Sequence, residues 1–82
     1  MYDIIITDRA EADIEKLDPS IKRRIGKKLR QYAADPYHYA TKLNRKELGT
    51  FRFRIGDYRV VFDIDGETII VLRVGHRSEI YE

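Results

Sequence analysis

The chain has 82 residues, no cysteine, no tryptophan and a formal net charge of +2. This length fits a single domain over residues 1–82, and the lack of cysteine excludes a disulfide framework and thiolate metal sites. No stretch reaches the roughly 20 apolar residues of a membrane span, and the first residues lack a signal-peptide pattern. We therefore expect a cytoplasmic protein with no membrane partner, no metal and no cofactor.

The small net charge conceals three segments of different sign. Residues 1–18 carry a net charge of −4, residues 19–54 carry +9, and residues 55–82 carry −3. A basic block of this size in a small domain is typical of a surface that binds a polyanion. A solvated face of lysines and arginines is the alternative explanation for such a run.

The first half of the chain predicts a strand followed by two helices. Residues 2–7 are rich in β-branched side chains and predict a strand. Asp8 and Glu11 form a capping-box pattern for a first helix over residues 9–17. Asp18 and Pro19 then suit the start of a second helix over residues 19–34. Residues 36–47 read as a polar loop with a short extended piece at residues 42–43.

The second half predicts three strands, over residues 48–55, 58–64 and 68–74. Gly56-Asp57 and Asp65-Gly66 are expected to join them as two-residue hairpin turns. The element order β-α-α-β-β-β predicts an α+β domain, in which a two-helix hairpin packs on one face of an antiparallel sheet.

These turns also predict which side chains share a face, because residues paired across antiparallel strands point the same way. Arg52, Arg54 and Arg59 are expected on the face away from the helices, with Arg54 directly opposite Arg59. Like charges in such a pair are destabilising, so the cluster favours a phosphate cradle over arginines neutralised by nearby acids. An exposed apolar patch on the same face would indicate a protein partner. Its expected residues are Val61, Ile70, Leu72 and Val74.

The chain ends in VLRVGHRSEIYE, which we expect to bend at Gly75 and to lie along the mouth of the cationic face. The segment LGTFRFRIGDYRVVFDIDGETIIVLRVGHRSEIYE, preceded by DRAEADIEKLDPSIKRRIGKKLRQYAADP, resembles the RelE/ParE superfamily of toxins from toxin–antitoxin operons. The resemblance implies a small toxin with a cognate antitoxin as partner. The RelE branch cuts mRNA on the ribosome, whereas the ParE branch poisons DNA gyrase and lacks the basic nuclease residues.

The resemblance also implies the site residues. The family's strand cations match Arg52 and Arg54, its arginine after G-x-Y matches Arg59, its late-strand arginine matches Arg77, and its C-terminal tyrosine matches Tyr81. The presence of all five favours the RelE branch. His76 is a further candidate, as a base with a mid-range reference pKa.

On this interpretation the protein is a metal-independent endoribonuclease, in which the 2′-OH of the mRNA attacks the adjacent phosphate. Arginines would stabilise the phosphorane and hold neighbouring oxygens, and Tyr81 would orient a base or take part in proton transfer. A further set of cations is expected to bind ribosomal RNA phosphates: Lys22, Arg23, Lys27, Lys28, Arg30, Lys42, Arg45 and Lys46. A gyrase-directed toxin and a non-catalytic RNA-binding module remain open alternatives.

Overall fold

A computed structural model describes residues 1–81 of the chain. Its elements are β1 (Asp3–Ile6), α1 (Asp8–Glu15), α2 (Pro19–Tyr32), α3 (Pro36–Tyr39), β2 (Thr41–Lys42), β3 (Phe51–Ile55), β4 (Tyr58–Asp65) and β5 (Thr68–His76). The predicted α+β class and the order of strand, helix hairpin and three strands are confirmed. The segment predicted as a loop contains the short α3 and β2.

The sheet has the strand order β1-β5-β4-β3-β2. It is antiparallel except at one edge, where β1 runs parallel to β5 and joins the two ends of the chain. Apolar side chains of α1 and α2, among them Ala10, Ile25 and Leu29, pack with Phe53 and Phe62 of the sheet in one buried core. The sheet face under these helices is called the helix face below.

Thr7 connects the end of β1 to the start of α1. Its backbone is extended, and its Oγ1 accepts a hydrogen bond from the Ala10 N–H at 3.3 Å while donating to the Val71 carbonyl at 2.8 Å. The prediction that Asp8 caps this helix is therefore wrong by one residue, because Asp8 already has a helical position. The same hydroxyl caps the helix and attaches it to β5.

Asp13 occupies the edge of β5 beyond the point where β1 stops. Its Oδ2 accepts the Val74 N–H at 3.0 Å and the Arg73 Nε–H at 2.8 Å. Burial alone would raise the pKa of the Asp13 carboxyl, but the hydrogen bonds from Arg73 and Val74 outweigh it and lower that pKa. A side chain thus satisfies a backbone donor where the neighbouring strand is absent.

The second hairpin turn lies one residue later than predicted. Asp65 pairs with Thr68, so the two turn residues are Gly66 and Glu67 rather than Asp65 and Gly66. Gly66 has φ of 61° and Gly56 has φ of 59°, so in both turns glycine takes the first position with a positive φ. The Gly56-Asp57 turn is confirmed, because Ile55 pairs with Tyr58.

A β-bulge in the β4–β5 pairing changes the predicted faces of β5. Phe62 pairs with Val71 but Val61 pairs with Arg73, which leaves Leu72 as the extra residue. Beyond the bulge Val74 lies opposite Val60 and is only 2% exposed in the core. The prediction that Val74 lies on the face of the arginines is therefore wrong.

The expected exposed apolar patch is largely covered by the chain itself. The β2–β3 loop, residues 43–50, crosses this face, where a Cβ added at Gly49 would lie 2.6 Å from a methyl carbon of Val61. The loop is fastened by the Thr50 N–H, which donates to Asp63 Oδ1 at 2.8 Å. Val61 is consequently fully buried, and Ile70 and Leu72 are half-buried.

We expect Gly26→Ala to stabilise the protein by about 1 kcal/mol, because alanine is the better helix former in the middle of α2. Within residues 1–81, an added Cβ would meet just the Arg30 Nη1, at an ordinary 3.5 Å. Thermal unfolding should show a midpoint raised by about 4–8 °C. A lowered midpoint would mean that this glycine is needed for packing.

We expect Asp13→Asn to lower the free energy of unfolding by about 1–3 kcal/mol at pH 7, because hydrogen bonds to a charged acceptor are lost. The folded pKa of Asp13 is lowered, so its contribution is present above about pH 4, near the unfolded value, and disappears as the pH falls through the folded pKa. Urea unfolding should therefore show a difference from the native chain that shrinks below about pH 4. Asp65→Asn, at an exposed carboxyl, is the control. A difference that stays constant into acid would contradict this assignment.

Candidate nucleic-acid site

Three arginines of β3 and β4 lie on the sheet face opposite α1 and α2, which is called the arginine face. Arg54 pairs directly with Arg59, and Arg52 pairs with Val61 beside them. The predicted convergence of these arginines is therefore confirmed by the strand register. Arg54 is exposed, Arg52 is half-buried and Arg59 is only 6% exposed.

Arg59 is fixed by its own turn. Its Nη1 donates to the carbonyls of Gly56 and Tyr58, both at 2.9 Å. Burial lowers the pKa of the Arg59 guanidinium, and the nearby charge of Arg54 lowers it further. The charged guanidinium is thus held at an energetic cost, and an anion bound between these groups would offset their repulsion.

Tyr81 closes over this face. Its hydroxyl accepts a hydrogen bond from Arg52 Nη1 at 3.1 Å, and the Arg52 Cζ lies 5.9 Å from the centre of its ring. Its carbonyl accepts a hydrogen bond from Arg45 Nη1 at 2.7 Å, and Arg45 in turn is paired with Glu47 at 2.9 Å. The β2–β3 loop and the end of the chain therefore meet at Tyr81.

Gly75 lies in β5 beneath the residues that turn back after the strand ends. Gly75 pairs with Arg59 and so lies on the arginine face, directly under Ile80, which is 2% exposed. A Cβ added at Gly75 would lie 3.2 Å from Ile80 Cδ1. The prediction that the final residues lie along the cationic face is confirmed, but the bend lies after His76, where β5 ends and the N–H groups of Glu79 and Ile80 donate to the His76 carbonyl.

Within residues 1–81, the Nε–H of Arg52 is buried without a hydrogen-bond partner. A buried donor of this kind costs free energy, and in a native structure it calls for an explanation such as a functional role. Its position beside Tyr81 places the unpartnered donor inside the cluster described above.

Arg77 follows the end of β5 and lies beside the turn between β3 and β4. Its N–H donates to the Asp57 carbonyl at 2.8 Å, and its Nε is 3.8 Å from the Asp57 carboxylate. The side chain is 63% exposed and its charge contributes to lowering the pKa of Arg59. The structure therefore brings Arg77 to the edge of the arginine cluster.

His76 lies on the other side of the sheet. It pairs with Tyr58, whose ring it meets edge-on at 5.5 Å, and its Nδ1 accepts the Ser78 N–H at 3.2 Å. It lines an open groove of about 850 Å³ beside Lys16 and Leu17. The structure thus separates this candidate base from Arg52, Arg54 and Arg59.

The basic side chains expected to bind RNA fall into two groups. The cations of the first group lie on β2 and the β2–β3 loop, at the edge of the sheet, where Lys42 pairs with Phe51 and so points to the helix face. Those of the second group lie on α2, which packs on the helix face. The first group contains Lys42, Arg45 and Lys46. The second contains Lys22, Arg23, Lys27, Lys28 and Arg30.

Arg24 is a residue that the sequence-based site did not include. Its guanidinium lies against the β3–β4 turn, where a Cβ added at Gly56 would be 2.6 Å from Nη2. A charge from α2 therefore reaches the end of the arginine face. The only signal in the sequence is the glycine itself, which does not reveal the side chain that approaches it.

The site consists of guanidinium groups and a phenol, which are groups that bind anions. Among residues 1–81 there is no cluster of three or more His, Asp or Glu side chains able to hold a metal ion. In the same part of the chain no helix has the length and apolarity needed to cross a membrane.

Comparison with known proteins identifies relatives along almost the whole chain. The curated toxin RelG of Mycobacterium tuberculosis is 35% identical over 83 residues, which cover 98% of this chain and 95% of that protein. The toxin in the crystal structure of the RelBE2 toxin–antitoxin complex of M. tuberculosis has a TM-score of 0.84 and 33% identity, covering 93% of this chain and 98% of the other.

The isolated Escherichia coli RelE toxin has a TM-score of 0.75 at 28% identity, with 99% of this chain and 92% of the other covered. The family described as ParE toxin of type II toxin-antitoxin system, parDE, matches residues 4–81. This fold, which bears the arginine face and Tyr81, is thus shared with named toxins. This chain belongs to the ParE toxin family of type II toxin–antitoxin systems, within the RelE/ParE superfamily.

Proposed function

We propose that this toxin is a ribosome-dependent endoribonuclease that cleaves mRNA and thereby inhibits translation. The observation that carries the proposal is the arginine cluster, in which Arg54 faces Arg59 and Arg52 donates to the hydroxyl of Tyr81. A pair of like charges on adjacent strands opposes folding, so its presence is explained by an anion that it binds. The similarity to toxins named RelG and RelE supports the same activity.

The reaction would be an in-line attack of a substrate 2′-OH on the adjacent phosphorus. The bond between the 2′ oxygen and phosphorus forms, the bond to the 5′ oxygen breaks, and the products carry a 2′,3′-cyclic phosphate and a 5′-OH. Arg54 and Arg59 would stabilise the added negative charge of the phosphorane, where preorganised cations have their largest effect. Arg52 would hold a flanking phosphate and Arg77 the leaving oxygen.

Proton transfer is the step that the cluster supports least. Guanidinium groups are poor bases, the phenol of Tyr81 is held by Arg52, and His76 lies on the other side of the sheet. A site of this kind depends on accurate placement of the 2′-OH, which a large partner can supply. We therefore propose the ribosome as that partner, bound through its RNA phosphates by the two basic groups.

The partner that restrains the activity would be a cognate antitoxin protein in the same cytoplasm. The M. tuberculosis RelBE2 structure and the intact E. coli RelBE structure are both toxin–antitoxin complexes. The reactive face of this chain carries a concentrated positive charge, so an antitoxin that covers it should present carboxylates to the arginines.

Gyrase inhibition is a second candidate function, because the matching family is described as the ParE toxin of parDE. Such a toxin would not need the arginine cluster. Trapped gyrase–DNA complexes together with intact mRNA in treated cells would establish this function and exclude the nuclease.

We expect Arg54→Ala to reduce mRNA cleavage by about 10²–10³-fold, because a preorganised charge is removed from the phosphorane. Cell-free translation followed by primer extension measures this as the loss of discrete breaks. Arg9→Ala, an exposed arginine of α1, is the matched control and should cleave normally.

The same substitution should leave the free energy of unfolding unchanged or raise it by up to about 1 kcal/mol, because Arg54 no longer repels Arg59. Loss of cleavage combined with gain of stability would separate a functional role from a structural one. Normal cleavage by the Arg54→Ala protein would sink the proposal.

A further inference from the structure

We infer that the helix side of the protein carries a second RNA-binding surface, at which a base of single-stranded RNA stacks on the ring of Tyr39. The phosphates of that strand lie along Lys28 and Arg24 of α2. This surface is separated from the arginine face by the sheet and the core. The choice of RNA as the strand rests on the proposed function, whereas the stacking surface itself does not.

Tyr39 is an exposed ring on a rigid support. It stacks on Tyr32 with ring centres 4.3 Å apart and an angle of 19° between the planes. Tyr32 in turn contacts Phe53 at 5.0 Å, and Phe53 is fully buried. The outermost ring is nevertheless 40% exposed, so it presents a fixed aromatic surface without losing further conformational entropy on binding.

The neighbouring aromatic residues are held in the same way. Tyr37 is 57% exposed although its ring packs edge-on against both Tyr2 and Phe51. His38 is exposed and meets Tyr39 edge-on at 4.8 Å. An exposed aromatic ring offers a flat surface on which a nucleic-acid base can stack.

The adjacent helix supplies the matching charge. Residues 19–32 of α2 contain six cations and no acid. Arg24, Lys28 and Tyr32 follow one another at intervals of four residues and so lie on one side of the helix. Lys28 Nζ lies 6.0 Å from the centre of the Tyr32 ring, and the stripe from Arg24 to Tyr32 is about 12 Å long.

The stripe also leads to the arginine face. Arg24 reaches Gly56, in the turn that joins the strand of Arg54 to the strand of Arg59. A strand that leaves the arginine cluster around this turn would meet Arg24, then Lys28, and finally the ring of Tyr39. Stacking requires a base that is free of its own neighbours, so the ligand is single-stranded.

The test measures binding, by fluorescence anisotropy, of a labelled oligouridylate of about ten nucleotides. We expect Tyr39→Ala to weaken binding by about 5- to 150-fold, the range that loss of one stacked base produces, with no change in salt dependence. Tyr39→Phe keeps the ring and should bind within about twofold of the native chain. Because phenylalanine also keeps the packing on Tyr32, a circular-dichroism spectrum of Tyr39→Ala that matches the native chain is needed to exclude a general folding defect as the cause.

Lys28→Ala should weaken binding and reduce the slope of log affinity against log salt by about 0.7, because one phosphate contact is lost. Lys16→Ala, at the exposed C-cap residue of α1, is the matched control and should change neither quantity. Native affinity in Tyr39→Ala, or equal affinity for duplex RNA of the same length, would overturn the inference. Tenfold tighter binding of the matching single-stranded DNA would overturn the assignment to RNA.

Cleavage of mRNA is measured with the native chain, and oligouridylate binding is measured in both the native and the Arg54→Ala background, so that this inference and the proposed nuclease are tested separately. If the native chain does not cleave mRNA but Tyr39→Ala still weakens oligouridylate binding, the nuclease proposal fails and the stacking surface stands. If cleavage occurs and Tyr39→Ala binds normally, the nuclease stands and the stacking surface is wrong.

Discussion

The extra residue of β5, at Leu72, decides which side chains of the last strand face the core and which face the arginines. Beyond the bulge Val74 turns into the core and Gly75 comes to lie opposite Arg59. A Cβ at Gly75 would crowd Ile80 Cδ1 at 3.2 Å, so glycine suits the close return of the chain that brings Tyr81 back. The closure of the site therefore follows from one irregularity in an otherwise regular ladder.

The arginine face shows how a small fold can hold mutually repelling charges. The hairpin of β3 and β4 contributes a large part of the buried core, including Phe53, Val60 and Phe62. Burial of such side chains contributes about 1.5–3 kcal/mol each, which exceeds the cost of about 1 kcal/mol for like charges placed opposite each other. The core on one face of these strands thus permits an unfavourable arrangement on the other.

Much of this organisation could be predicted from the sequence. The Gly56-Asp57 turn fixes the pairing of Arg54 with Arg59 through local backbone geometry, so a short pattern was sufficient. The second turn could not be placed as well, because Asp65-Gly66 and Gly66-Glu67 both contain a suitable glycine. The bulge left no local signal, since it depends on the packing of Val74 and on the Asp13 bond to its backbone.

Contacts between segments that are distant in the chain could not be predicted from the sequence. The closing residue Tyr81 was identified by resemblance, but its contact with Arg45 joins positions 36 residues apart and depends on the path of the β2–β3 loop. The separation of His76 from the arginines follows from alternation along β5 after the bulge. The aromatic surface at Tyr39 was hidden because residues 36–47 have the composition of a loop.

The two contacts made by Tyr81 differ in how far they depend on the identity of residue 81. Arg45 binds the main-chain carbonyl, which every amino acid provides, whereas Arg52 binds the phenolic hydroxyl. The hydrogen bond from Arg45 to the main chain can therefore persist when residue 81 is replaced, whereas the hydrogen bond from Arg52 to the phenol is lost. A lineage of such toxins could lose or alter its activity here without first losing its shape.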